Sequence, residues 1–334
     1  MSPLLVVKDV HVCFELLGPV KAWLTGAEQR FIDAVAGVSF EVRAGTTFAI
    51  VGESGSGKST LARAIIGLVP VSRGSIQFEG TEPHRSKGAA LTAFRRNVSL
   101  MFQDPTASLS PRLTVRSIIT EPFAIHGLRD NDLRAEARRL LALVGLSADF
   151  AGRYPHQLSG GQARRVGIAR ALALSSKLII ADEPTAGLDV SVQGDVLNLL
   201  ARLQRELGLT LVMITHNLSV VRHVSDQIAV MYMGRIIERG PTSAVFRSPA
   251  HPYTHALLAA QPRPDPDRRR EGVELQGEVP SLLKRPAGCE FHTRCPMVRD
   301  RCRAIRPEPE FISSTHQHRC HFPLVDHDQE LTAG

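Results

Sequence analysis

The chain has 334 residues, 43% of them hydrophobic and 5% aromatic, enough for one large domain or two smaller ones around a proper core. Lysine and arginine outnumber the acids by seven, which suits an anionic partner such as a nucleotide, a nucleic acid or an anionic membrane face, but the basic residues are scattered rather than gathered into one stripe. No apolar run approaches the roughly 20 residues of a membrane-spanning helix, and the stretch MSPLLVVKDVHVCF lacks the basic start and clean apolar core of a signal peptide, so a cytoplasmic protein with at most a peripheral membrane role is expected.

Residues 4–14 and 35–51, rich in Val, Ile and Phe, read as strands, 58–68 as a helix and 98–102 as a further strand. The pattern then turns helical. Within 131–146, Leu133, Ala137, Leu140, Leu141 and Val144 recur at helical spacing, with Asp130 or Asn131 as cap and Gly145 near the stop; 160–174 continues as helix. Strands return at 177–182, 209–216 and 227–233, with a helix at about 191–207 between the first two. Strands alternating with helices predict an α/β fold with a mostly parallel sheet covered on both faces, into which residues 90–170 are inserted as a helical block. The proline-rich, charged segment 261–272 reads as a linker, and no internal repeat is present.

The stretch GESGSGKS, Gly52 to Ser59, sits between an apolar strand and a helix and fits G-x-x-x-x-G-K-[ST]. Gly52, Ser54, Gly55 and Gly57 belong to a loop whose backbone N–H groups can turn toward one centre and cradle an anion, helped by the positive end of the helix that follows. Lys58 would reach terminal phosphates, the Ser59 hydroxyl would ligate Mg²⁺ and Thr60 would add a phosphate contact. A second signal is LIIADEP, an apolar strand ending in Asp182 and Glu183. Adjacent ionised carboxylates are poor core material. Asp182 suits the Mg²⁺ shell, and Glu183 suits the orientation of an attacking water, as phosphoryl transfer to water requires. The third signal, LSGGQARRVGIARAL, opens a helix on Ser159, Gly160, Gly161 and Gln162, a second anion-binding terminus. One chain thus carries two phosphate sites but one lysine loop and one acidic pair.

GESGSGKST, LSGGQ, ADEPTAGLD and ITHNLS, in this order, resemble the nucleotide-binding subunit of an ABC transporter over about residues 4–260. The resemblance implies a P-loop NTPase ABC cassette: a mixed, largely parallel sheet with an inserted helical subdomain, here followed by a small cysteine-containing extension. The implied domains are 1–260 for the cassette, with the helical subdomain at about 90–170, a linker at 261–272 and the extension at 273–334. It implies ATP and Mg²⁺ as cofactors, with ATP held between two cassettes. Ser159, Gly160, Gly161 and Gln162 of one cassette would then face the lysine loop of the other. By the same resemblance Gln103 contacts Mg²⁺ and the water, His216 contacts the γ-phosphate, Asp189 lies in the loop that crosses to the partner, and Phe14 stacks on adenine. Asn217 stands where the family usually has Asp, and Ala186-Gly187 where Ser-Ala is common.

QDPTASLSPRLTV, RYPHQLSGGQ, HPYTHALL and the tail GCEFHTRCP look like the oligopeptide/dipeptide permease branch, which includes nickel importers. The long insertion at 15–33 resembles the second of the two ATPases such systems carry. The implied partners are a second, non-identical ATPase subunit, two transmembrane permease subunits and an extracytoplasmic solute-binding protein, at the cytoplasmic face of the membrane. A nucleic-acid-associated ABC ATPase is disfavoured by the single cassette and the scarcity of aromatics, and a non-hydrolysing regulator by the intact Glu183 and His216.

Cys289, Cys295, Cys302 and Cys320 are spaced C-x5-C-x6-C-x17-C, apart from the lone Cys13. In a cytosolic chain such clustering favours a metal site over disulfides. Without a C-x2-C pair a zinc knuckle is a poor fit. Four thiolates suit a [4Fe–4S] cluster with a structural role, although the spacing is not a ferredoxin run; a zinc site completed by a nearby histidine, or free redox-labile thiols, are the alternatives.

Overall fold

The computed structural model describes residues 2–16, 31–102, 108–128, 132–261 and 277–325. Gln103, the candidate caps Asp130 and Asn131, residues 262–272 of the expected linker and 17–30 of the 15–33 insertion lie outside these residues.

The chain opens with β1 (Pro3–Glu15) and β2 (Phe31–Arg43), and β4 (Arg73–Phe78) joins them in a three-stranded antiparallel sheet of order β2-β1-β4. The stretch expected as one strand over 35–51 is two strands, because a turn at Ala44 and Gly45 separates β2 from β3 (Thr47–Val51). Next come α1 (Lys58–Ile65), α2 (Ala89–Asn97), β5 (Val98–Met101), α3 (Val115–Ile125), α4 (Leu133–Leu143) and α5 (Gly160–Leu172). Asp132 caps α4, accepting from the Arg134 and Ala135 amides at 2.9 and 3.1 Å, one residue beyond the cap candidates expected. The chain continues through β6 (Leu178–Asp182), α6 (Val190–Leu207), β7 (Thr210–Thr215), α7 (Leu218–Val224), β8 (Gln227–Tyr232), β9 (Arg235–Pro241), α8 (Thr242–Arg247) and α9 (Pro252–Ala259). α10 (Asp300–Ala304) and the short β10 (Glu310–Phe311) and β11 (Gln317–His318) complete it.

The main sheet has the order β10-β11-β9-β8-β3-β7-β6-β5. β8, β3, β7, β6 and β5 run parallel, and β9, β11 and β10 add antiparallel neighbours at one edge. The α/β cassette with a mixed sheet is therefore the observed architecture. β5 falls inside the stretch expected as a helical block, yet it is the sheet's far edge strand.

The central strands TFAIV, LIIAD and TLVMIT are buried along their whole length, as parallel strands covered on both faces must be. Their side chains divide by the two-residue period of a strand. On β6, Leu178 and Ile180 enter a core shared with α1 and the three-stranded sheet, whereas Ile179 and Ala181 enter one shared with α3, α4, α5 and α6. Truncating Ile179 to Ala would cost about 2–5 kcal/mol. Parallel pairing of β3, β7 and β6 sends three loops out of the same edge of the sheet, where ligands of open α/β sheets bind.

Candidate nucleotide site

The loop from Gly52 to Ser59 leaves the end of β3 and enters α1. Two of its glycines are required by close approach. Gly52 has φ +152° and a Cβ there would strike the Met231 carbonyl; Gly57 has φ +97° and a Cβ there would strike the Ala34 carbonyl. Ser54 and Gly55 are exposed at the tip, Lys58 is buried, and Ser59 and Thr60 are half-buried in the first turn of α1. Lys58 Nζ donates to the carbonyls of Gly52 and Glu53, both at 2.8 Å, and to Ser56 Oγ at 3.3 Å. Its ammonium thus satisfies oxygens of its own loop. Burial pushes its pKa below the ordinary lysine value, while Glu183, Asp182 and Glu53 pull the other way.

Two strands away, β6 ends in Asp182. Ser59 Oγ donates to Asp182 Oδ1 at 3.1 Å, so the loop and the acidic strand tip meet. Burial raises the Asp182 pKa, Glu183 adds to the rise, and the Ser59 hydrogen bond, Arg63 and Lys58 oppose it. Glu183 follows with φ +49°, a backbone state costing of order 1–3 kcal/mol in a non-glycine residue. Its N–H is tied to the Ile214 carbonyl of β7 at 2.8 Å, and its Oε1 lies 2.9 Å from Nδ1 of His216, the residue just after β7. His216 is otherwise exposed. Asn217 caps α7, accepting from the Ser219 and Val220 amides at 3.1 and 3.3 Å. A capping amide needs no charge, which accounts for Asn where the resemblance leads one to expect Asp.

The other half-site lies at the start of α5. Ser159 Oγ accepts from the Gln162 N–H at 3.3 Å, and the Gln162 side chain accepts from the Ser159 N–H at 3.0 Å, a reciprocal cap that leaves the serine hydroxyl hydrogen available. Ser159 and Gly160 are exposed. A Cβ on Gly161 would lie 2.7 Å from a Val192 methyl, so the small residue lets α5 approach α6. Asp189, exposed, is the residue before α6. Phe14, 40% exposed, pairs with Ile32 in the antiparallel sheet, two residues from the Ala34 that abuts Gly57.

Several residues that the motifs did not flag support these groups. Arg164, 1% exposed, donates to the Ala186 carbonyl at 2.9 Å and fixes the start of α5 to the loop before α6. Glu53 is held by Arg294 and Tyr253 of the C-terminal part. The run of arginines in LSGGQARR was the only local hint of the first; nothing local announces the second.

Cys289, Cys295, Cys302 and Cys320 line one cavity, together with His251 and Phe291. Burial pushes the Cys289 thiol up to about 12 and the Cys320 thiol up to about 11, so both are protonated at neutral pH in the absence of a cation. Among the described residues no set of three or more His, Cys, Asp or Glu side chains is arranged to hold a metal ion, and no helix is long and apolar enough to cross a membrane.

A family model described as ABC transporter matches residues 35–186, and one described as Oligopeptide/dipeptide transporter, C-terminal region, matches residues 237–302. The chain is 46% identical to the putative oligopeptide transport ATP-binding protein YkfD of Bacillus subtilis, over 96% of this chain and 95% of that protein. The chain belongs to the ABC transporter ATPases. This ABC ATPase is also 45% identical to the oligopeptide transport ATP-binding protein OppF of Escherichia coli, over 91% of this chain and 92% of that protein. Among solved structures, a dimeric post-hydrolysis state of the ATP-binding cassette MJ0796 bound to ADP and Pi has a TM-score of 0.62 at 30% identity, covering 71% of this ABC ATPase and 98% of that chain.

Proposed function

We propose that this ABC ATPase binds Mg²⁺–ATP at Gly52 to Thr60, hydrolyses it in a site completed by a second cassette, and so energises import of oligopeptides or dipeptides. The observation that carries the chemistry is the convergence of Lys58, Ser59, Asp182, Glu183 and His216 at the ends of three adjacent parallel strands. Lys58 exchanges the loop carbonyls for β- and γ-phosphate oxygens. Ser59 Oγ and Asp182 offer the hard oxygen donors that Mg²⁺ takes, with Gln103 a third, and the ion supplies charge neutralisation at the phosphates. Glu183 Oε1 accepts a hydrogen bond from the attacking water and orients it, and His216 holds that carboxylate and contacts the γ-phosphate. Phe14 offers an exposed ring to adenine.

Ser159 and Gly160 face outward with an unspent hydroxyl hydrogen at the start of α5, and with the half-buried Gly161 and Gln162 they close over the partner's γ-phosphate, with Asp189 beside them. The dimer of the structurally similar cassette MJ0796 supports this reading. The names of the relatives support oligopeptides as the cargo; the resemblance to the oligopeptide/dipeptide permease branch is what supports two permease subunits, a non-identical cassette partner, a solute-binding protein and a position against the cytoplasmic face of the membrane. Peptide-stimulated ATP turnover by the complex reconstituted with its permease subunits tests the function. Stimulation by nickel and not by peptides would transfer the same ATPase role to another cargo.

The four cysteines favour a [4Fe–4S] cluster with a structural role. What supports it is that four thiols line one cavity, and His251, 1% exposed beside them, has its Nε2 buried without a partner while its Nδ1 accepts from the Tyr253 amide. In its neutral form that ring carries its proton on Nε2, a donor suited to a sulfur-rich anionic group. Binding would deprotonate the thiols and tie the segment together. Visible absorption of anaerobically prepared protein tests it: a colourless, iron-free sample would reject the cluster.

A further inference from the structure

Glu53 follows the first glycine of the phosphate loop, and Arg294 lies beside Cys295, 241 residues away. Arg294 donates Nη1 to Glu53 Oε2 at 2.7 Å and Nη2 to Oε1 at 3.1 Å, a two-pronged pair in which the arginine side chain is 5% exposed and the glutamate 27%. The Glu53 N–H donates to Tyr253 Oη at 3.0 Å, and the Glu53 carbonyl accepts from Lys58 Nζ at 2.8 Å. Tyr253 is fully buried and packs against Tyr232 and Phe291, with ring centroids 4.7 and 5.3 Å away. The backbone and the side chain of one loop residue are therefore both gripped from the C-terminal part, on the residue whose carbonyl holds the phosphate-binding lysine.

We propose that Arg294 and Tyr253 are positioning residues for ATP binding: they clamp the phosphate loop through Glu53 and neutralise a carboxylate that stands beside the triphosphate. A glycine-rich loop would otherwise lose conformational freedom when it closes on phosphate, and the clamp removes that loss in advance. Forked guanidinium–carboxylate geometry supplies both direction and charge, which a lysine ammonium does not. Without Arg294 the Glu53 carboxylate is left unpaired in a site meant for an anion. The inference rests on the reading of Gly52 to Thr60 as the ATP site.

The test is a double-mutant cycle in the full chain, read as the Kd for ATP by titration calorimetry and as KM and kcat in the assembled complex. Arg294→Gln should raise Kd and KM about tenfold while changing kcat less than about twofold. Glu53→Gln, which loosens the clamp but strands no carboxylate, should raise Kd about threefold, and the double variant should resemble Glu53→Gln rather than Arg294→Gln. Arg294→Lys should fall in between. If Arg294→Gln does not fold, Tyr253→Phe keeps the ring packing, removes the hydroxyl acceptor and should raise Kd about threefold. Unchanged affinity in Arg294→Gln and Tyr253→Phe, or a double variant as impaired as Arg294→Gln alone, overturns the proposal. Lys58→Ala separates the two claims: if it too leaves ATP affinity unchanged, the reading of the ATP site fails; if it abolishes binding while Arg294→Gln does nothing, the clamp alone fails.

Discussion

His216 Nδ1 and Glu183 Oε1 lie 2.9 Å apart, although the two residues follow different strands and are separated by 33 positions. The contact exists because β6 and β7 are parallel neighbours and end together, and because Glu183 takes a left-handed backbone that turns its carboxylate toward the loop after β7. Glu183→Gln keeps the shape and the contact to His216 but removes the charge that orients a water. ATP turnover by the assembled complex should fall about 100-fold or more, with ATP affinity retained. Equal loss of both would point to a binding role instead.

Asp182 supplies a second expectation. Its pKa is raised, chiefly by burial, so the folded protein holds a buried charge at neutral pH that the unfolded chain leaves in water. A carboxyl raised in this way weakens the fold above its unfolded pKa, and the penalty fades as pH falls and the group takes a proton. Asp182→Asn should therefore raise the melting temperature of the nucleotide-free protein at pH 7, while abolishing the Mg²⁺ dependence of ATP binding. In the wild type, Mg²⁺-dependent binding should decline on acidification sooner than an exposed aspartate would dictate.

The composite-site reading makes a kinetic prediction. Ser159 is exposed and its hydrogen bonds are local to α5, so Ser159→Arg should cost the fold only the lost cap, about 1 kcal/mol, and leave the ATP affinity of the isolated chain unchanged. Turnover should drop at least tenfold. Measuring turnover of the wild-type chain with its partner cassette against protein concentration distinguishes a site shared between chains from one complete within a monomer. Concentration-independent turnover would reject the shared site.

His251 predicts a pH dependence of stability. It is buried, and burial drives its pKa down to about 4, against the pull of Glu238. The unfolded state takes up a proton below about 6.5, whereas the folded state resists until about 4, so the neutral ring contributes fully above pH 6.5 and its contribution of about 3 kcal/mol is lost between those values. His251→Asn retains an acceptor for the Tyr253 amide and removes the titration. Its melting temperature should fall less steeply than that of the wild type between pH 6.5 and 4.5.

How much of this was legible beforehand depends on distance along the chain. GESGSGKS, LIIADEP and LSGGQ each pack their chemistry into adjacent residues, so spacing alone announced a phosphate loop, an acidic strand tip and a capped helix. The alternation of apolar strands and helices announced the sheet. Boundaries slipped where a short turn was hidden in an apolar run, as at Ala44 and Gly45, and β5 was recognised as a strand without its place at the sheet edge.

Residue order by itself determined which groups this protein has for handling phosphate and the two faces its central strands must bury, because both follow from local spacing and side-chain chemistry. Tertiary structure alone decided that β3, β7 and β6 stand side by side, that Asp182 meets Ser59, that four cysteines share one cavity and that Arg294 reaches Glu53. The closure of a long loop costs only slowly growing entropy, so packing of distant surfaces selects such contacts, and no local pattern records them.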